Sequence, residues 1–166
     1  MASHTHGGRR LAMMHGGCYG ADYACLGDLW LLTCDGGGGG GGALDALPIR
    51  WMRPPLSGTP PEARWGHTLT AAGASAILFG GRHHADLRDT HVATIVGDPS
   101  SHTHSISVVW STPHVGVPPP PRRRHTAVAA GGALIVFGGF DGGFLADTHT
   151  LSLTHVCGGE AAAATD

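Results

Sequence analysis

Lysine, asparagine and glutamine are absent from this chain of 166 residues, whose ten basic residues are all arginine. Twelve acidic residues outnumber them, and the formal charge of −2 at pH 7 leaves no basic excess for nucleic-acid phosphates. We therefore expect no nucleic-acid partner. The absence of lysine also excludes a P-loop in the run of seven glycines at 36–42, because that phosphate-binding motif needs a lysine after its last glycine.

Long apolar runs and paired cysteines are scarce as well. The N-terminal run LAMM is too short for the core of a signal peptide, and no later segment approaches the roughly 20 apolar residues of a membrane helix. We expect a cytoplasmic protein, with the nucleus as the alternative location, and no membrane partner. The four cysteines form no CxxC pair, and they predict reduced, partly buried thiols rather than a disulfide framework or a zinc ribbon.

What the chain has instead is an internal repeat. The stretch RWGHTLTAAGASAILFGG at 64–81 recurs without a gap as RRRHTAVAAGGALIVFGG at 122–139, and the two agree at ten of eighteen positions. Each copy begins with Arg and His three residues apart and ends with two glycines after an apolar run. A degraded third copy, RRLAMMHGG, lies upstream at 9–17. Such a period predicts one supersecondary unit per repeat.

Matching segments follow each pair of glycines. Those at 26–33, 87–95 and 145–153 all begin with Leu and have Asp two residues later, and a tryptophan segment follows in two copies, at 49–52 and 107–110. Short β-branched runs bounded by Gly, Pro and Asp are strand signals, and no stretch has the 3.6-residue period of an amphipathic helix. The pattern predicts an all-β chain in which each complete repeat supplies four strands.

These residues resemble kelch repeats, whose units carry Arg-X-X-His, an apolar strand ending in Gly-Gly, an acidic residue before the third strand and a Trp in the fourth. The sequence RWGHTLT followed by FGG is similar to the repeats of the kelch branch that includes plant LOV/F-box/kelch photoreceptors and Rab-effector kelch proteins. The resemblance covers residues 9–153 and implies kelch-type β-propeller blades, each a four-stranded antiparallel sheet. It divides the chain into a degenerate first repeat at 1–53 with the glycine insertion at 36–42, a second repeat at 54–112, a third, truncated repeat at 113–156, and a disordered tail at 157–166.

A closed propeller needs more blades than this chain provides. Propellers have roughly four to eight blades of about 50 residues each, whereas this sequence contains fewer than three complete repeats. We expect an incomplete ring with open sheet edges, which favour self-association. Three explanations stay open: the chain is part of a longer propeller, it closes a ring with copies of itself, or its gene boundaries are wrong. The first and third are favoured, because neither terminus resembles a cap.

Positions that recur between repeats are expected to be structural. Glycine pairs admit unusual backbone angles and a close approach of the next sheet, tryptophans fill the space between sheets, and each Arg and His satisfies the same backbone groups in its own repeat. The predicted structural positions are Gly16, Gly17, Asp28, Trp51, Arg64, His67, Gly80, Gly81, Asp89, Trp110, Arg122, His125, Gly138, Gly139 and Asp147.

Loops that differ between repeats are the candidate partner-binding surface. They follow each glycine pair and carry aromatic and charged residues on a rigid scaffold, as interaction loops often do. The Pro-rich connections at 53–63 and 111–123 are expected on the same face, and the insertions at 35–47 and 97–107 on the opposite one. Arg123 and Arg124 are available to an acidic partner, the alternative being that these two charges are only solvated. The candidates are Tyr19, Asp22, Tyr23, Arg82, His83, His84, Asp86, Arg88, Phe140, Asp141 and Phe144.

Two functions are compatible with these patterns. The first is a non-enzymatic protein-protein interaction module without a cofactor, a propeller segment that presents its loops to a protein partner as the recognition part of a larger adaptor. The alternative is a fragment of a metalloenzyme, because the resemblance extends to galactose oxidase, which uses copper, and to nitrile-specifier proteins, which use iron. Its metal site would consist of His83, His84, Asp86 and His91. The tripeptide Asp-Thr-His recurs at 89–91 and 147–149, where the first repeat has Trp30, and this favours packing over ligation.

Overall fold

The computed structural model describes residues 2–6, 9–34, 49–97 and 106–153. These residues form twelve strands. No helix among them is long and apolar enough to cross a membrane. The all-β prediction is confirmed. The glycine insertion at 36–42, most of the insertion at 97–107 and the tail at 157–166 lie outside the described residues, so the predictions made for them stay predictions.

The strands form three sheets, which we call blades 1 to 3. Each blade takes its strands from one continuous span of the chain, and all neighbouring strands are antiparallel except β5 and β9. Blade 1 contains β1 (Ala2–His6), β2 (Arg9–Tyr19), β3 (Ala24–Cys34) and β4 (Ile49–Met52). Blade 2 contains β5 (Leu56–Gly58), β6 (Thr68–Ala72), β7 (Ser75–Arg82), β8 (Asp86–Val96) and β9 (Ser107–Ser111). Blade 3 contains β10 (Thr126–Ala130), β11 (Ala133–Phe140) and β12 (Phe144–Ser152).

The short strand β5 is a feature that the sequence pattern did not predict. It pairs in parallel with β9 at the outer edge of blade 2, where the amide of Val108 donates to the carbonyl of Pro55 and the amide of Thr59 donates to that of Trp110, both at 3.0 Å. Pro55, just before the strand, has no amide to donate, and this is tolerated because the pairing is at a sheet edge. The connection at 53–63 is therefore partly an edge strand rather than a loop on the partner-binding face.

Each glycine pair lies near the C-terminal end of β2, β7 or β11 and forms part of a β-bulge. Between β7 and β8 the register shifts between Phe79 and Gly81, and the same shift occurs in the other two blades. Gly80 has a φ of +60°, and a Cβ atom there would lie 2.7 Å from the carbonyl oxygen of Arg122 on the segment leading into blade 3. Glycine at this position therefore permits both the bulge and the close approach of the next blade.

Two apolar cores lie between the blades. The core between blades 1 and 2 is formed by Leu11, Met13, Leu29, Leu31, Leu69, Ala76, Leu78, Ala93, Ile95, Ile106, Val108 and Trp110. The core between blades 2 and 3 is formed by Ile77, Phe79, Val92, Leu134, Val136, Leu151 and Leu153. Alternate residues of β7 point into different cores, as the period of a strand requires. Blade 2 is consequently buried on both faces.

The outer faces of blades 1 and 3 are open within the described part of the chain. Trp110 pairs with Ala93 and is only 2% exposed, whereas Trp51 pairs with Leu32 in the equivalent register and is 50% exposed. Trp51, expected to fill the space between two sheets, does not do so among the described residues, because no described blade covers that face. The three blades do not close a ring.

Candidate partner-binding surface

Arg64 is fully buried and joins the two halves of blade 2. Its guanidinium donates to both carboxylate oxygens of Asp89, at 2.6 and 2.8 Å, and to the carbonyl oxygen of Gly80 at 3.0 Å. The Nε2 atom of His91 lies 2.9 Å from the same carboxylate. Burial alone would raise the pKa of Asp89, but the hydrogen bonds from Arg64 and His91 outweigh it and hold the pKa below its usual range.

Arg122 repeats this arrangement in blade 3. It donates to Asp147 at 2.6 and 2.9 Å and to the carbonyl oxygen of Gly138 at 2.9 Å, and His149 lies 2.7 Å from the carboxylate. Hydrogen bonds from Arg122 and then His149 lower the pKa of Asp147 below its usual range. Each of these bidentate Arg–Asp pairs joins the first part of β8 or β12 to the segment that enters the same blade.

The backbone of the same arginines joins each blade to the preceding one. The amide of Arg64 donates to the carbonyl of Leu26 at 3.0 Å, and the amide of Gly17 donates to the carbonyl of Arg64 at 2.8 Å. Three residues later, the His67 ring packs edge to face on His15 with 5.3 Å between the ring centroids. Burial, followed by the nearby charge on Arg64, lowers the pKa of His15 to about 4, while burial and the neighbouring His15 lower that of His67 to about 3.

The joint between blades 2 and 3 has the same design. The amide of Arg122 donates to the carbonyl of Leu87 at 2.9 Å, and the amide of Gly81 donates to the carbonyl of Arg122 at 2.8 Å. The His125 ring packs edge to face on Phe79 at 5.2 Å between centroids. Burial lowers the pKa of His125 to about 4, so the ring is neutral in the joint at physiological pH.

Asp28, the corresponding acidic residue of blade 1, has other partners. It accepts a hydrogen bond of 2.7 Å from the indole Nε1 of Trp30, and the guanidinium of Arg53 lies 3.5 Å away. Arg53 also lies over the Trp30 ring at 5.0 Å from its centroid. Two different side chains thus replace the single buried arginine found in blades 2 and 3.

The loop face is the end of the blades formed by the loops at 20–23, 83–85 and 141–143. Near its centre, Trp65 stacks with Tyr23 at 5.6 Å between ring centroids and an interplanar angle of 30°. The guanidinium groups of Arg124 and Arg123 lie 5.1 and 5.7 Å from the Trp65 centroid. Aromatic stacking and cation–π contacts therefore connect side chains from the first loop to the segment that enters blade 3.

A cleft of about 420 Å³ opens between the first two loops. Its lining includes the predicted residues Asp22, Tyr23, Arg82, His83 and His84, together with Trp65 and Arg123. Tyr23 is 57% exposed and has a φ of +54°, which only a tight turn normally imposes on a tyrosine. Tyr19, the last residue of β2 before this loop, is also exposed.

Asp86 has a role different from the predicted one. Its side chain is only 11% exposed, because the guanidinium of Arg123 lies 2.6 Å from Oδ2 and that of Arg82 lies 3.3 Å from Oδ1. It therefore positions two cations of the loop face and is not itself a freely exposed contact residue. Arg88 is exposed but lies within β8, not in a loop.

The two predicted histidines of this loop lie side by side. Their rings stack at 4.0 Å between centroids, and His83 Nδ1 lies 3.3 Å from a carboxylate oxygen of Glu62. His91 is buried elsewhere, beside Asp89 and with its ring 6.4 Å from that of Trp110. The four residues of the metal alternative are thus not brought together, and no three His, Cys, Asp or Glu side chains among the described residues form a group that could hold a metal ion.

A second cleft, of about 400 Å³, lies on the open side of blade 3 and is lined by residues of β11 and β12 that flank the third loop. Phe140 and Phe144 line it and contact each other edge to face at 5.4 Å between centroids. Phe144 is 95% exposed, and Arg123 lies 4.6 Å above the Phe140 ring. Asp141 accepts a hydrogen bond from the amide of Gly143 at 3.2 Å, which orders the turn between them.

Trp65 is a central residue of the loop face that was absent from the predicted set, and beside it lies Arg123, which was expected only to be available to an acidic partner. Both are second in an Arg-X-X-His segment, where the two repeats differ: RWGH in one and RRRH in the other. Variation inside an otherwise constant motif was the signal that could have identified them. Among the cysteines, Cys18 is an exposed free thiol, not a partly buried one, and Cys25 is a half-buried free thiol beside the first cleft.

Comparison with known proteins agrees with this architecture. The model of the KLHDC2/KLHL20/DRC7 Kelch-repeats domain matches residues 2–157. The chain is also similar to the Rab9 effector protein with kelch motifs from Danio rerio, at 32% identity over 84 residues that cover 43% of this chain and 24% of that protein. It spans about a quarter of the length of this curated relative. With three blades, the repeated Arg–Asp pairs and a family model that matches almost its whole length, the chain belongs to the kelch-repeat family.

Proposed function

We propose that the chain is a non-enzymatic protein-interaction module and that its loop face is the surface that binds a protein partner. The main support for this proposal is the cleft beside Trp65, where Tyr23, Trp65 and Arg123 form one connected stack on a rigid scaffold. Aromatic residues and arginine are the residue types that contribute most to binding energy at protein interfaces. The repeated Arg–Asp pairs and buried joints supply the rigidity that such a surface needs.

The chemistry of the cleft favours a partner with an apolar or aromatic group beside an acidic one. The Tyr23 and Trp65 rings offer a flat apolar surface, and the exposed Arg124 guanidinium lies over it. Arg82 and Arg123 are held by Asp86, so their positions are set before a partner arrives. Preorganisation of this kind reduces the entropy lost on binding. The similarity to a Rab9 effector protein with kelch motifs supports a role in binding proteins.

Affinity capture with matched variants tests this proposal. The purified chain, the double variant Tyr23→Ala/His83→Ala in the cleft, and the control Ile49→Ala/Arg50→Ala on β4 would be used as baits. A partner identified by mass spectrometry and then purified should bind the wild-type chain and the control equally. We expect the cleft variant to weaken it at least tenfold in titration calorimetry, as loss of a central aromatic contact does. Equal binding by all three baits would refute the assignment.

A further inference from the structure

One pair of opposed residues lies at the base of the loop after each glycine pair. Its first member follows the second glycine, and its second member precedes the leucine of the Leu-X-Asp strand. We call the two residues a closing pair. The closing pairs are Cys18 with Cys25 in blade 1, Arg82 with Asp86 in blade 2, and Phe140 with Phe144 in blade 3.

The closing pairs of blades 2 and 3 show what this position does to its side chains. The guanidinium of Arg82 lies 3.3 Å from the carboxylate of Asp86, and the rings of Phe140 and Phe144 contact each other at 5.4 Å between centroids. Directly opposite residues of antiparallel strands project from the same face of the sheet. The position therefore brings two side chains into contact, as an ion pair in one blade and as an aromatic pair in the other.

The closing pair of blade 1 meets the geometric requirement of a disulfide. Opposite residues in an antiparallel ladder have Cα atoms about 4.5 or 5.5 Å apart, and a disulfide joins Cα atoms that are roughly 4.4–6.8 Å apart. Cys18 and Cys25 are opposite each other in this way, and both are free thiols. A covalent bond between them requires no movement of either strand.

The two thiols differ in their surroundings. Cys18 is exposed, whereas Cys25 is half-buried, with its Sγ atom 3.6 Å from the carbonyl oxygen of Tyr23 and 3.9 Å from that of Arg82. Burial, followed by the neighbouring Cys18, raises the pKa of the Cys25 thiol. Because the thiolate is the form that oxidants attack, the exposed Cys18 is the thiol to react first, and Cys25 is the one beside it.

We propose that Cys18 and Cys25 are an oxidation site, which forms a reversible disulfide when hydrogen peroxide reacts with the chain. The Cys18 thiolate attacks one peroxide oxygen, so that an S–O bond forms, the O–O bond breaks, and the displaced hydroxide takes up a proton and leaves as water. The Cys25 sulfur then attacks the Cys18 sulfur. An S–S bond forms, the S–O bond breaks, and the hydroxyl leaves with the Cys25 proton as a second water. Two electrons pass from the sulfur atoms to the peroxide.

The disulfide would change how the first loop is held. It would close a covalent ring around the loop that carries Tyr23, whose side chain stacks with Trp65 of blade 2. The Sγ atom of Cys25 would have no proton left to donate to the carbonyl of Arg82, also in blade 2. Oxidation would thus fasten the loop to its own blade at the cleft that Cys25 lines. This proposal goes beyond the loop-face function and does not depend on whether a partner binds there.

Mass spectrometry of the full chain tests the proposal. The reduced protein is treated with hydrogen peroxide, and the remaining thiols are labelled with N-ethylmaleimide after denaturation. All four cysteines of the reduced chain accept the label, and we expect oxidation to remove two of the labels and about 2 Da of mass, both restored by dithiothreitol. Chymotrypsin cuts after Tyr19 and Tyr23, so fragments that carry Cys18 and Cys25 should stay joined by the disulfide alone.

The fold should select this pairing over the alternatives. In the folded chain we expect the Cys18–Cys25 disulfide to exceed pairings with Cys34 or Cys157 roughly tenfold, because the sheet holds the two sulfurs together. The same treatment in concentrated urea should give mixed pairings. The variant Cys34→Ser/Cys157→Ser is the matched control, and it should form the disulfide at the same rate as the wild-type chain.

Single variants test the order of the two steps. In Cys25→Ser the oxidised Cys18 has no thiol beside it, and dimedone should trap its sulfenic acid. In Cys18→Ser we expect roughly tenfold less of the dimedone adduct on Cys25, since this thiol is half-buried and its thiolate is disfavoured.

Three results would overturn the inference. The first is oxidation of the folded wild-type chain that joins either cysteine to Cys34, to Cys157 or to a second chain more often than to its opposite residue. The second is the same mixture of pairings in the folded and the urea-treated chain. The third is stepwise oxidation of Cys18 to sulfinic acid without any disulfide. All three are measured on the wild-type chain, so none depends on whether a variant folds.

Discussion

Blades 2 and 3 are built from nearly the same sequence but differ in what covers them. Phe79 and Phe137 occupy one position of the repeat, yet the first is fully buried and the second is 53% exposed. The Arg–Asp pairs of the two blades, by contrast, agree to within 0.1 Å at each of the two bonds. The repeat therefore encodes the internal bonds of a blade, while burial of its faces depends on the neighbouring blade.

Truncating the two phenylalanines is the strongest test of this comparison. Phe79→Ala removes a ring from the core between blades 2 and 3 and should lower the free energy of unfolding by about 3–5 kcal/mol. Phe137→Ala removes an exposed ring and should change it by less than about 0.5 kcal/mol. Urea denaturation followed by circular dichroism measures both values. Similar losses in the two variants would contradict the difference in burial.

Removing the arginines tests whether the two Arg–Asp pairs contribute equally to the free energy of unfolding. Arg64→Ala leaves the carboxylate of Asp89 and the carbonyl of Gly80 without their donor, and we expect a loss of roughly 2–4 kcal/mol, discounted because Asp89 is 38% exposed. Arg122→Ala should cost less, since blade 3 is covered on one face only. The same urea experiment provides the measurement, and a larger loss for Arg122→Ala would show that the end blade is the more tightly held.

The histidines of the joints predict a loss of stability in mild acid. The pKa values of His15 and His125 fall from 6.5 to about 4 on folding, so the unfolded chain binds more protons between these values. The contribution of these two neutral rings to the free energy of unfolding is fully present well above pH 6.5. It decreases as the pH falls from 6.5 towards 4. At pH 5, each of these two nearly buried rings should lower the free energy of unfolding by up to about 2 kcal/mol relative to its value at neutral pH.

Unfolding free energies at pH 7.5 and pH 5.0 check this expectation. The variant His125→Gln keeps a polar side chain that can reach Thr68 but no longer titrates. It should be less stable than the wild-type chain at pH 7.5. Its free energy of unfolding should then decrease by about 2 kcal/mol less than that of the wild-type chain between pH 7.5 and pH 5.0. If both proteins lose the same amount, His125 does not contribute to the acid sensitivity.

Much of the scaffold could be predicted from the residues alone. The Arg-X-X-His segments, the glycine pairs and the Leu-X-Asp strands each appear in the sequence because every copy needs the same local bonds. The strand β5 could not be predicted, since its pairing with β9 depends on the outer edge of a blade and not on a local pattern. Trp51 was placed by analogy with Trp110, but its burial requires a neighbour that the described residues do not provide.

The binding surface stays a prediction, and the contacts within it could not be read from the sequence. Differences between repeats pointed to the loops, whereas the burial of Asp86 depends on Arg123, which is 37 residues away in the chain. Trp65 appeared to be part of a constant motif, and only the stacking on Tyr23 places it at the centre of the loop face. Contacts of this kind join residues that have no regular spacing.

The sequence by itself determined the all-β architecture and the repeating unit, because these depend on strand period and glycine backbone freedom. Only the tertiary structure decided which equivalent positions are buried, which charges are held in ion pairs and where accessible clefts lie. Burial and electrostatics are properties of the assembled surfaces, and two copies of one repeat acquire different roles when one is covered and the other is open.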